Sequence, residues 1–194
     1  MGQDNLKDRA KGNIYTSKAP EDDESHQMIS SLFLGPHAEN YEYFKSNIIA
    51  ILETTRDARL NYFPEDGPFI SEQVQASATF GKHTDKIGKA VKKAAELLSR
   101  HSVPWWSPRY AAHMCMDMSM PSLLGYFMTM LYNPNNVTIE ASPLTMVAEI
   151  EAGQQICEML GYNLDPEAKD APVGWGHITC GGSVANLESI WAGG

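Results

Sequence analysis

The sequence predicts a mainly α-helical chain that ends in one strand, a glycine-rich loop and a final helix. Two observations carry this prediction. Apolar residues recur at the 3.6-residue period of an amphipathic helix in several long stretches, which proline- and glycine-containing loops separate. One short stretch near the end, residues 175–179, is β-prone and bounded by glycines.

The bulk composition is that of a globular protein, with 43% hydrophobic and 20% charged residues among 194. No apolar run approaches the ~20 residues of a membrane span, and the N-terminus lacks the apolar core of a secretory signal. We therefore expect a cytoplasmic protein with no membrane partner. A net charge of −9 argues against nucleic acid as a partner, and the basic cluster at residues 82–93 is interpreted as a solvated helix face.

The first part of the chain is predicted as a tail followed by three helices. Residues 1–29 are polar and contain an acidic run, so they are expected to be disordered. Apolar periodicity predicts helices over residues 39–62 and 84–101. Residues 121–132 form the densest apolar stretch and are interpreted as a buried helix.

A fourth helix has clear limits in the sequence. Ser142 is a candidate N-cap, and Pro143 suits the first helical position because its missing N–H costs nothing there. Gly161 suits the left-handed conformation that follows a helix. We therefore predict a helix from Pro143 to the residue before Gly161.

The C-terminal part is predicted to run from the strand at 175–179 through a glycine-rich loop into a helix that begins near Val184. One strand cannot form a sheet, and an unpaired strand leaves backbone groups unsatisfied. Either a partner chain supplies the sheet or the chain is a fragment. We favour the fragment.

The strongest local candidate for chemistry is the run TCGGSVAN at residues 179–186. Glycines let the backbone approach a ligand closely, and the first N–H groups of a helix have no internal partners. A phosphate at this position would gain hydrogen bonds from those N–H groups and from the Ser183 hydroxyl. The competing interpretation is a simple turn and helix cap.

A second candidate is the proline-flanked run WWSPRYAAH at residues 105–113. Its aromatic side chains could line a pocket for a flat substrate, with His113 contacting a carboxylate. The alternative is that the aromatic rings pack in a core or interface and that His113 is an ordinary core histidine. Both interpretations remain open on the residues alone.

Other types of site are not predicted. The histidines show no metal-ligand spacing, and the three cysteines form no C-x-x-C pair, so reduced thiols and no metal are expected. Ser183 does not lie in the G-x-S-x-G pattern of a hydrolase nucleophile.

Six blocks in a fixed order carry a resemblance to a known family. They are LGPHAEN (34–40), NYFPED (61–66), SPRY (107–110), MLYNPNNV (130–137), EASP (140–143) and GGSVANLE (181–188). Together they resemble the group II pyridoxal-phosphate-dependent amino-acid decarboxylases, and the first and fourth blocks are most similar to the tyrosine decarboxylase type. The resemblance covers residues 30 to 192.

The resemblance implies a parent enzyme of fold type I, an α/β fold with a mostly parallel sheet, which works as a homodimer. Residues 1–29 would then be a tail, residues 30–140 an N-terminal helical clamp for dimerisation, and residues 141–194 the beginning of the cofactor-binding large domain. The implied activity is a lyase reaction that converts L-tyrosine, or a related aromatic amino acid, to its amine and carbon dioxide. The implied cofactor is pyridoxal 5'-phosphate.

The same resemblance implies roles for individual residues. Gly182 and Ser183 match positions that hold the cofactor phosphate. His113 matches a substrate contact near the carboxylate, and Trp106, Ser107 and Pro108 match a loop on the substrate side. No catalytic residue is expected within this chain, because the family's cofactor-binding lysine lies beyond residue 194, so the fragment itself is expected to be inactive. The alternatives are a catalytically dead dimerisation or regulatory module, and a glutamate-type decarboxylase of the same family.

Overall fold

The computed structural model describes residues 23–111 and 115–193. These residues are mainly helical, as the sequence predicts. Seven helices lie within the described ranges: α1 (Glu24–Ser30), α2 (Tyr41–Tyr62), α3 (Glu72–Gln75), α4 (Ala78–His101), α5 (Met120–Tyr132), α6 (Pro143–Met159) and α7 (Gly182–Gly193). The chain divides into two compact units, Met1–Met128 and Thr129–Gly194. The division predicted at 140/141 concerns functional segments and stays a prediction.

The presence of helix α1 corrects part of the prediction that residues 1–29 are a disordered tail. Residues 24–29 were expected to be disordered with the rest of 1–29, but Glu24–Ser30 is helical. The Asp23 carboxylate caps the helix by accepting a hydrogen bond from the Ser25 N–H at 3.0 Å, which satisfies one of the unpaired donors of its first turn. The preceding part of the tail, residues 1–22, lies outside the described residues.

Asn40, the residue before α2, fastens the segment that follows α1 through two hydrogen bonds. Its side-chain amide donates to the carbonyls of Ser30, at 3.0 Å, and Phe33, at 2.7 Å. The Met120 N–H donates to the Leu32 carbonyl at 2.7 Å, which ties the start of α5 to the same loop. The Met120 side chain is 1% exposed and is the most deeply buried apolar side chain of this unit's described part.

Helix α5 lies where the sequence predicts a helix, but it is not the buried helix that was expected. Only Met120 is buried in it, and Tyr126 is 70% exposed. The apolar composition of this stretch shows that its faces favour burial. Within the described residues Leu123, Leu124, Phe127 and Leu131 are only half-buried.

Helix α6 begins at the predicted Pro143 and ends at Met159, one residue before the predicted end. Ser142 precedes it and Pro143 occupies its first turn, although the Ser142 hydroxyl pairs with the Thr145 hydroxyl and does not cap the helix backbone. After the helix, Gly161 has a φ of 79°, which confirms the predicted left-handed position. Cys157 is buried on the inner face of the helix.

The strand predicted at 175–179 is wrong for the described residues. Residues 172–179 carry no regular secondary structure, and no β-ladder forms anywhere in 23–111 or 115–193. A strand is defined by pairing with a neighbouring strand, and none of the described segments forms a ladder with this one. Residues 172–179, called here the 172–179 segment, instead pack against α6.

Glycine allows that packing. A Cβ atom on Gly153 of α6 would lie 2.6 Å from the Gly176 carbonyl oxygen, closer than any real carbon approaches such an atom. The backbone of the 172–179 segment therefore touches the α6 backbone directly. This contact sets the direction from which the chain enters the glycine-rich loop and α7.

Candidate functional site

The chain turns sharply into α7 at residues 180–183, called here the glycine turn. Gly181 has a φ of 122°, a backbone conformation that residues with a Cβ atom rarely adopt. Helix α7 begins at the next residue. The Ala185 N–H donates to the Gly181 carbonyl at 3.1 Å, which closes the first turn of the helix. The helix therefore begins two residues before the predicted Val184, and Gly182 and Ser183 form its first turn.

The glycine turn has the donors and the space that a phosphate group needs. The backbone N–H groups of Gly182, Ser183 and Val184 lead the helix and have no earlier carbonyl to bond within it. A Cβ atom built on Gly181 or Gly182 would meet nothing within 4 Å, so the backbone is open to a ligand. The first turn of α7 contains no acidic residue that would repel an anion. These residues fit a phosphate monoester.

The Glu149 side chain holds the 172–179 segment to α6. One carboxylate oxygen accepts a hydrogen bond from the Ile178 N–H at 3.1 Å, and the other accepts one from the Asn136 side-chain amide at 2.6 Å. These hydrogen bonds, the one from Asn136 first, lower the pKa of the Glu149 carboxyl below its ordinary value, since they stabilise the charged form. Nearby His177 adds a smaller effect in the same direction.

A second side-chain contact joins the residues before and after the glycine turn. The His177 Nε2 atom is 2.6 Å from the Glu188 Oε2 atom on α7, and both side chains are 42% exposed. The Trp175 ring lies at a tilt against the His177 ring, with 5.2 Å between centroids. With Trp191 these residues line an open groove of about 540 Å³ beside α7. The sequence analysis did not predict this pair, since nothing in the spacing of residues 177 and 188 marks a contact.

The described part of the proline-flanked run, residues 105–111, is called here the aromatic loop and lies in the first unit, shortly after α4. Trp105 is half-buried and packs edge-to-face on Tyr110, with ring centroids 4.8 Å apart at an angle of 71°. This contact supports the packing interpretation for Trp105. Trp106 is different, because 43% of its surface is exposed and its ring is available to another molecule.

Hydrogen bonds within the aromatic loop hold its remaining residues in place. The Ser107 hydroxyl accepts a hydrogen bond from the Arg109 N–H at 3.3 Å, and the Tyr110 N–H donates to the Ser107 carbonyl at 2.9 Å. Pro108 is exposed. Predicted residue His113 lies outside the described residues.

The structure thus brings the predicted site residues together in two sets. Gly182 and Ser183 are neighbours at the first turn of α7, in the second unit. Trp106, Ser107 and Pro108 share one short loop in the first unit. Among the described residues no group of three histidine, cysteine or acidic side chains could hold a metal ion, and no described helix is both long and apolar enough to cross a bilayer.

Comparison with known proteins gives a consistent result. The model of the pyridoxal-dependent decarboxylase conserved domain matches residues 71–193. Proteins named L-tyrosine decarboxylase from Enterococcus faecalis and Levilactobacillus brevis are each 37% identical to this chain, and one from Enterococcus faecium is 35% identical. Each alignment covers 84% of this chain but 25% of the relative. The chain therefore spans about a quarter of the length of the relatives that it matches.

Proposed function

The chain belongs to the pyridoxal-dependent decarboxylase family, and we propose that it forms part of an enzyme that converts L-tyrosine to its amine and carbon dioxide. One observation supports L-tyrosine as the substrate: three relatives named L-tyrosine decarboxylase align with 84% of the chain at 35–37% identity. Because the alignment covers 25% of each relative, the reaction is proposed for the whole enzyme.

The cofactor of the proposed enzyme is pyridoxal 5'-phosphate, and the glycine turn is the proposed site for its phosphate. The backbone N–H groups of Gly182 and Ser183 would donate to the phosphate oxygens, and so would the Ser183 hydroxyl. The positive end of the α7 dipole adds to the attraction. The cofactor, when bound, supplies an electron sink for the pair of electrons that the departing carboxylate leaves behind.

On the substrate side, the proposed contacts lie in the aromatic loop. The exposed ring of Trp106 offers a flat apolar surface on which an aromatic side chain can stack. Ser107 and Pro108 hold the shape of this loop, and His113 is the proposed contact to the substrate carboxylate. A tyrosine side chain fits such a surface better than the charged side chain of glutamate.

The proposed parent is a fold type I enzyme that acts as a homodimer in the cytoplasm. Exposed apolar side chains on α4, including Val91 at 63%, support an interface in the first unit. Such faces are typical of elements that another chain covers.

Titration of the 194-residue chain with pyridoxal 5'-phosphate tests the cofactor site. The dissociation constant would be measured from the quenching of tryptophan fluorescence. We expect Ser183→Ala to weaken binding about tenfold, since a hydrogen bond to a charged group is lost. The matched control is Ser189→Ala, on the same helix, whose hydroxyl donates to the Ala185 carbonyl at 2.8 Å. Equal affinity of all three proteins would contradict a phosphate site at Ser183.

A chimera tests the proposed reaction. The part of the Enterococcus faecalis relative that aligns with this chain would be replaced by the matching residues of this chain. We expect the chimera to release tyramine from L-tyrosine, and not to release carbon dioxide from L-glutamate. Preference for L-glutamate would favour a glutamate-type enzyme. A folded chimera that binds cofactor but decarboxylates neither amino acid would favour the catalytically dead module.

A further inference from the structure

We propose that Glu188 is a positioning residue for the glycine turn, and that it acts through His177. The inference rests on the proposed function, because it concerns how the chain holds the turn that would bind the cofactor phosphate. Neither side chain is placed in contact with the cofactor. Their contribution would be to fix the direction of the backbone N–H groups of Gly182 and Ser183.

The geometry places this pair across the glycine turn. His177 lies four residues before Gly181, in the 172–179 segment, and Glu188 lies six residues after Gly182, on α7. Their side chains meet at 2.6 Å although eleven residues separate them in sequence. The contact therefore closes a loop that contains the whole glycine turn.

The 172–179 segment has a second anchor next to the first. The Ile178 N–H is bound by Glu149 of α6 at 3.1 Å, while His177 is bound by Glu188 of α7. Two consecutive residues are thus held by carboxylates from two different helices. In the described residues no β-ladder restrains this segment, so these side chains supply the restraint that strand pairing would otherwise give.

Restraint of this kind matters for binding an anion. A backbone N–H group donates well only along a narrow range of directions, so a mobile turn must be ordered when the phosphate binds. Ordering a loop in advance removes that cost from the binding free energy. Glu188 would therefore raise the affinity for the cofactor without touching it.

The competing explanation is an ordinary surface ion pair. Half-exposed pairs contribute little to global stability, so the free energy of unfolding cannot separate the two explanations. The local order of the glycine turn and the affinity for the cofactor can separate them.

The experiment compares Glu188→Ala, His177→Ala and the double variant with the unaltered 194-residue chain. Glu151→Ala, an exposed glutamate on α6, is the matched control. Hydrogen–deuterium exchange of residues 178–185 measures the order of the turn without any ligand. Fluorescence titration with pyridoxal 5'-phosphate measures the affinity. Glu188→Gln keeps an oxygen that can accept from the imidazole N–H and serves as the conservative variant.

We expect faster exchange at residues 178–185 and roughly three- to fivefold weaker binding in both alanine variants, the range that a half-exposed pair allows. The double variant should bind pyridoxal 5'-phosphate no more weakly than either single variant, because both substitutions remove the same contact. Glu188→Gln should retain most of the affinity, and Glu151→Ala should match the unaltered chain.

Unchanged exchange at residues 178–185 in Glu188→Ala would overturn the inference whether or not the cofactor binds. Faster exchange with unchanged affinity would also overturn it, since the turn would then need no positioning. If the unaltered chain fails to bind pyridoxal 5'-phosphate while its turn is ordered by Glu188, the proposed phosphate site fails and the structural restraint stands.

Discussion

Glu149 connects three parts of the second unit through one carboxylate. It lies on α6, accepts from Asn136 in the turn that follows α5, and accepts from the Ile178 backbone just before the glycine turn. Asn136 is itself held by α6, because its side-chain amide also donates to the Thr145 carbonyl at 3.3 Å. A single side chain therefore links the turn of the MLYNPNNV block to the segment that leads into the candidate cofactor site.

We expect Glu149 to make this unit sensitive to acid. The hydrogen bonds lower the pKa of the folded carboxyl below its ordinary value of 4.5. The resulting stabilisation is present above that ordinary value and is lost as the pH falls through the lower, folded pKa. Thermal unfolding at about pH 6 and about pH 3 should show a larger loss of Tm in the unaltered chain than in Glu149→Gln.

Glu151→Gln is the control for this prediction, because it removes a neighbouring carboxylate that faces away from the Asn136 turn. It should lose Tm with acid as the unaltered chain does. An identical acid response of Glu149→Gln and the unaltered chain would show that the two hydrogen bonds do not stabilise the fold.

At the scale of elements, the position of the 172–179 segment depends on a missing side chain in α6. Glycine within a helix costs stability, so a helical glycine usually has a structural reason. At Gly153 the reason is the Gly176 carbonyl, which occupies the place of a Cβ atom. Glycine at this position lowers the helix propensity of α6, but it permits direct contact between the α6 backbone and the 172–179 segment.

Gly153→Ala should therefore destabilise the chain although alanine is the better helix former. The added methyl group would lie 2.6 Å from a backbone oxygen, so the 172–179 segment must shift. We expect a loss of roughly 1–3 kcal/mol in the free energy of unfolding, as for other overpacked sites. Urea denaturation followed by circular dichroism measures it, and weaker cofactor binding should accompany it.

The matched control is Gly88→Ala, in the middle of α4. A Cβ atom there meets nothing within 4 Å, so only the helix propensity changes. We expect a gain of up to about 1 kcal/mol in the free energy of unfolding. If both substitutions stabilise the chain equally, the close contact at Gly176 does not restrain α6.

At the scale of the whole molecule, few apolar side chains are buried. Among the described residues, only Met120 and Cys157 are buried apolar side chains. On α4, Ile87, Val91 and Leu98 are exposed by 62%, 63% and 66%, and their spacing places them on one face of the helix. A face of this kind is stable in water only when another surface covers it.

We expect the 194-residue chain to self-associate through α4. Analytical ultracentrifugation over a concentration series should show dimers or larger species. Val91→Glu should shift the distribution toward the monomer, since it places a charge within the apolar face. Lys93→Gln changes the net charge by the same amount on the opposite face of the helix and should have no such effect. A chain that is monomeric at every concentration would contradict an interface on α4.

The sequence by itself determined the features that depend on neighbours along the chain. The limits of α6 follow from Pro143 and Gly161, because helix initiation and termination are decided within one turn. The Ser142 hydroxyl pairs with the Thr145 hydroxyl and does not cap the helix. The glycine-rich turn before α7 follows for the same reason, although α7 begins at Gly182, two residues before the predicted Val184. Pro143 and the glycine-rich turn also lie in two of the blocks that carry the family resemblance, EASP and GGSVANLE.

The tertiary structure decided what depends on contacts between distant residues. Glu149 meets Ile178 across 29 positions and Glu188 meets His177 across 11, and no spacing rule marks either pair. The predicted strand fails and the predicted buried helix is exposed for one common reason. The residues themselves favour pairing and burial, but both need a second surface, and only the arrangement of the other elements determines whether that surface is present.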